Sequence, residues 1–186
     1  CTTPYKLETY QHQGVTVYRS TILFRENMDW HPKDENMYDL FEEFLQLEQP
    51  DLVHFHCVQR LTASVVEATK NNNIPYIVTA HDAWWISDHQ FLIDQKDNVY
   101  PNGHPDMFAP RVLPNNVSLS DSIERINYYK ELLNGATKLL TVSECFADIY
   151  VQNGYPNIVV NKNGISSTVQ WQPKNTSYTE NVVCAH

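Results

Sequence analysis

Short apolar runs that stop at polar residues alternate with amphipathic stretches along this chain, and few folds accommodate that order. The runs VTVYRS (Val15–Ser20), LVHFHCV (Leu52–Val58), PYIVTA (Pro75–Ala80), KLLTV (Lys138–Val142) and NIVV (Asn157–Val160) have the length and β-branched content of strands. Between the first two, MYDLFEEFLQL sets Met37, Leu40, Phe41, Phe44 and Leu45 on one helical face, with Asn36 as the expected N-cap and Pro50 barring continuation. LTASVVEATKNNN (Leu61–Asn73) is the next expected helix, closing on asparagines that tolerate left-handed geometry. SDSIERINYYKELLNG is expected to run from a Ser120 cap to a Gly135 stop, and Ser143 to cap ECFADIYVQNG. Strand alternating with helix calls for right-handed crossovers and a parallel sheet, with helices on both faces: an α/β fold.

Parallel sheets place their sites in the crevice outside the carboxyl ends of the strands. His56, His81 and Ser143 each fall at or just past such an end, so they are the first candidates. His81 reads either as a structural histidine bonding a nearby loop or as a polar contact to a ligand. Asp82 reads as an N-cap or as the residue that orients the loop. Trp84 and Trp85 fit a core, and Trp84 equally fits an aromatic plane packed on a sugar ring. Ser143 is a helix cap whose helix would turn a positive dipole end toward the same crevice. A metal centre built from His54, His56 and His81-Asp82 competes with His54 as a hydrogen-bonded core residue of the strand, and the second is the expectation. Residues 94–119 show no periodicity and contain Pro101, Pro105, Pro110 and Pro114; a loop of that length reads as functional or mobile.

Composition removes several classes. With 186 residues, 42% apolar and 19% charged, the chain can bury a core and is not a disordered tail. A net charge of −9 argues against a nucleic-acid partner and against this segment gripping an anionic membrane by itself. No stretch reaches the roughly 20 apolar residues that span a bilayer. The five glycines never approach a dinucleotide or phosphate-loop spacing. Cys1, Cys57, Cys145 and Cys184 form no CxxC pair, so they read as reduced thiols of a cytoplasmic protein rather than zinc ligands. Two sequons, at Asn116 and Asn175, are read as accidental.

QPDLVHFHCVQRLTASVVEATKNNNIPYIVTAHDAWWISDHQFL, followed by GATKLLTVSECFADIYVQNGYPNIVVNKNGI, resembles the N-terminal half of a family 4 glycosyltransferase of the GT-B fold. The His81-Asp82 and Asn163-Gly164-Ile165 elements are the most specific, and the resemblance runs from about Gly14 to Ile165. It implies a Rossmann-like acceptor-binding domain over residues 1–165. Residues 166–186 would then be the interdomain linker and, in NVVCAH, the start of a donor domain. Such enzymes open with a strand and a Gly-rich loop that this chain starts too late to contain, so half a GT-B fold lacking its first strand is expected.

The activity implied is retaining transfer of a sugar from a nucleotide diphosphate sugar to the hydroxyl of a carbohydrate or lipid-linked acceptor, with no cofactor and no bound metal. His81 would touch the transferred sugar or the acceptor. His56, Asp82 and Trp84 would shape the acceptor site, and Ser143, Asn163 and Gly164 would line the cleft. A cytoplasmic location follows, with peripheral membrane attachment of a longer parent left open. The alternatives are a non-catalytic α/β binding module and a sugar-nucleotide epimerase of the same fold.

Overall fold

The computed structural model describes residues 3–164. Four strands, β3 (Val53–Phe55), β4 (Tyr76–Ala80), β5 (Lys138–Thr141) and β6 (Val159–Val160), form one parallel sheet in that order. Their registers pair Phe55 with Val78, Ala80 with Thr141, and Thr141 with Val160, so all carboxyl ends open on one edge. Helices flank the sheet: α1 (Glu35–Glu48), α2 (Ser64–Asn71), α3 (Leu119–Gly135) and α4 (Glu144–Gln152). The α/β parallel sheet read from the alternation is the one observed, and it is Rossmann-like, as the resemblance implies.

One strand belongs elsewhere. VTVYRS does not join the parallel sheet; β2 (Val15–Arg19) pairs antiparallel with β1 (Glu8–His12) in a separate hairpin, His12 opposite Val15. The two-residue loop explains it. Gln13 and Gly14 have φ of 50° and 80°, the doubly positive backbone whose twist matches that of a tight hairpin. A parallel partner would have required a crossover of a dozen residues or so.

Two caps sit two residues upstream of their expected places. α1 is capped by Asp34, not Asn36: its backbone is extended and its side chain accepts from the Met37 amide at 3.0 Å. Arg25 holds the same carboxylate at 2.5 Å, so the cap is fixed from outside the helix as well. α3 is capped by Ser118, not Ser120, in a reciprocal capping box with Asp121. Ser143 caps α4 as expected, accepting from the Phe146 amide. α2 does end on asparagines, with Asn73 left-handed at φ 57°.

Val65, Val66, Val78, Tyr129, Leu132 and Tyr150 are almost wholly buried between sheet and helices. Burial of an aliphatic side chain of this size contributes roughly 1.5–3 kcal/mol. The long connection from β4 to α3 is not structureless, because two carboxylates organise it. Asp94 accepts from the Lys96 and Asn98 amides, the Asn98 side chain and the Tyr100 hydroxyl. Asp88 accepts from Trp30, Arg111 and Ser122, tying the loop to the segment before α1 and to α3. No helix among the described residues is long and apolar enough to cross a membrane.

Candidate functional site

At the carboxyl edge of β3 and β4 three imidazoles gather. His54 and His56 alternate with Phe55, so their rings lie on one face of β3 with centroids 4.3 Å apart. His54 Nε2 meets the Thr79 hydroxyl at 2.8 Å, and His56 Nδ1 meets His81 Nε2 at 2.9 Å. His54 therefore has its hydrogen bond but not its core position: it is exposed, because β3 is the edge strand of the described sheet. His56 and His81 are exposed too. Partial desolvation of the ring, and then the neighbouring His54 and His81 rings, lower the His56 pKa below its ordinary value. At neutral pH this favours a neutral ring, and one of the two linked imidazoles must donate N–H while the other accepts.

Asp82 begins no helix. Its carboxylate accepts from the Trp84 amide at 2.9 Å and from the Gln90 side chain at 2.6 Å, a local Asx turn directly after His81. Trp84 is only 4% exposed. Its ring lies 4.5 Å from that of Tyr129 and meets Trp85 edge-on, and its indole N–H reaches Asp29. The core reading of this residue is the one the packing supports; it underlies the site and offers no open face. His56, Gln59, His81, Asp82 and Trp84 together border a shallow depression of about 20 Å³, room for roughly one water. It is a wall, not an enclosed pocket.

Ser143, Asn163 and Gly164 fall on the same edge but do not line that depression. Ser143 follows β5 and spends its hydroxyl on the α4 cap. Asn163 and Gly164 are exposed beyond β6, whose exit is pinned by the Asn161 amide donating to Thr141 O at 2.7 Å. A wider depression, about 700 Å³, opens at the opposite edge, among Leu133, Lys138, Tyr155 and Val159. Those are the amino ends of β5 and β6, where parallel sheets do not build sites. Among the described residues no group of three or more His, Cys, Asp or Glu is placed to hold a metal ion. Cys57 and Cys145 are exposed thiols, while Cys1, Cys184 and the expected linker and second-domain strand of residues 166–186 lie outside the described residues.

Arg125 escaped the sequence reading, yet it holds the site from behind. It is 1% exposed and donates to Asp29 O at 2.6 Å, Trp84 O at 2.6 Å and Ser87 O at 3.0 Å. Its guanidinium also lies over the Trp84 and Tyr129 rings, at 5.4 and 4.5 Å. Nothing in SIERINYYK marks that arginine as buried rather than as one more surface cation.

A family model described as "Glycosyl transferase 4-like domain" matches residues 1–164. No curated protein and no solved structure matches the chain.

Proposed function

The chain belongs to the glycosyl transferase 4-like family, and from that premise we propose that it is the acceptor-side half of a retaining glycosyltransferase. The reaction would move a sugar from a nucleotide diphosphate sugar to a hydroxyl of a carbohydrate or lipid-linked acceptor. The observation that carries the reading is the exposed His56–His81 pair, linked at 2.9 Å on the carboxyl edge of a parallel sheet. An imidazole held by a second imidazole presents its other ring nitrogen at a fixed angle, and orientation of this kind lowers a transfer barrier.

In this reading His81 touches the transferred sugar or the acceptor near the reacting carbon. His56 fixes the His81 ring, and Asp82 holds the turn that aims it. Ser143, Asn163 and Gly164 line the cleft farther along the edge. Residues 1–165 form the acceptor domain, and residues 166–186 lead to a donor domain that meets the charge developing on the leaving diphosphate. On that division the isolated chain is inactive. It takes no nucleic acid, needs no bound metal or other cofactor, and works in the cytoplasm, at the membrane periphery where the acceptor is lipid-linked.

The test is transfer by the full-length protein with a panel of nucleotide sugars. His81→Ala should lower transfer by about a hundredfold or more while the fold persists. Transfer near the unsubstituted rate would remove His81 from its role. Tight nucleotide-sugar binding without transfer, or inversion of a sugar carbon on the nucleotide, would replace the reading with a binding module or an epimerase.

A further inference from the structure

The wall that carries Asp82 and Trp84 has a second side. Trp84 borders the His81 depression, and Arg125, which donates to Trp84 O and covers its ring, borders another cavity of about 300 Å³. That volume is at the lower end of those that hold small ligands. One flank is α3, with Glu124 and Tyr128; the other is the segment before α1, with Trp30, His31 and Lys33.

The lining divides into spent and unspent groups. Trp30 gives its indole N–H to Asp88 and so contributes ring surface rather than a polar tip, while Tyr128, 9% exposed, gives its hydroxyl to Glu67. The Lys33 ammonium lies 4.6 Å over the Tyr128 ring. Among the described residues neither it, the His31 ring nor the Glu124 carboxylate has a hydrogen-bond partner, and all three residues are exposed. The cavity thus offers a free ammonium, carboxylate and imidazole beside the Trp30 ring; Arg25 and Asp121 also line it but are engaged with Asp34 and with the Ser118 cap. A bare anion would face Glu124, and a bare cation would face Lys33. A hydroxylated ring suits both, because each hydroxyl donates and accepts while the C–H face packs on aromatic carbon.

We propose that this cavity is a second saccharide subsite, taking a sugar unit of the acceptor other than the one at His81. The choice of acceptor as the molecule rests on the transferase reading above; the cavity's preference for a sugar ring does not.

Saturation-transfer NMR on the whole chain, with methyl glucoside, methyl galactoside and methyl N-acetylglucosaminide as probes, tests it. At least one glycoside should receive saturation and shift the Trp30 indole resonance. Lys33→Ala and Glu124→Ala, both at exposed positions, should each weaken that binding by about tenfold, whereas His81→Ala should leave it intact. Binding lost only in His81→Ala would overturn the second subsite and leave the transferase reading standing. No saturation of any glycoside, or equal binding by every variant, would overturn it as well. Binding at the cavity together with normal transfer by full-length His81→Ala would uphold the subsite and remove the role of His81.

Discussion

His104 is 5% exposed and accepts from the Asp88 amide through Nδ1 at 3.2 Å, so its own proton sits on Nε2, which is buried without a partner. A proton added at Nδ1 would break that bond and set a cation against Arg111 and the nearby Arg125 and His89, with only Asp88 in its favour. Burial first, and then Arg111, push its pKa down from 6.5 to about 4. The sign follows from linkage. Above about 6.5 the ring is neutral folded and unfolded; below that the unfolded chain takes a proton the folded chain refuses. Stability therefore falls as pH drops from 6.5 to about 4, by up to about 3 kcal/mol, and this loss levels off below. Urea denaturation at pH 7 and pH 5 measures it, and His104→Gln should flatten the difference. An unchanged slope in that variant would assign the acid sensitivity to other groups.

Among the elements, α1 ends on a residue poorly suited to its backbone. Gln49 closes the helix at φ 47°, exposed, its amide donating to Leu45 O. Glycine reaches that conformation without a Cβ clash, so Gln49→Gly should raise stability by about 1 kcal/mol, read as a higher denaturation midpoint. The elements themselves were legible because apolar runs and helical stripes are local patterns. Caps were less so: Asp34 and Asn36 compete within one turn, and Arg25, remote in sequence, decides between them. The hairpin could have been found from Gln13-Gly14, a two-residue turn signal between alternating segments. At the site, His56 and His81 were readable as strand-end residues. Their mutual bond was not, since it depends on β3 lying beside β4. The core reading of Trp84 stood beside the sugar-packing one, and what separates them, the closure by Arg125, lies 41 positions later.

At the scale of the molecule, one guanidinium joins three pieces of chain: the turn at Asp29, the loop at Trp84–Ser87, and α3 itself. Arg125→Met would leave three carbonyls facing an apolar chain, each worth about 1–3 kcal/mol when buried unpaired. Amide exchange should then accelerate in residues 28–31 and 84–88 together, far from the substitution in sequence; acceleration confined to α3 would show that the arginine is not the common tie. The order of the ties along the chain has its own consequence on the ribosome. Trp84 is translated 41 residues before its lock, a wait of roughly two to eight seconds at about 5–20 residues per second. During that interval the nascent histidine edge has its strand but not its backing, and a helper protein that shields exposed indoles would find its target there.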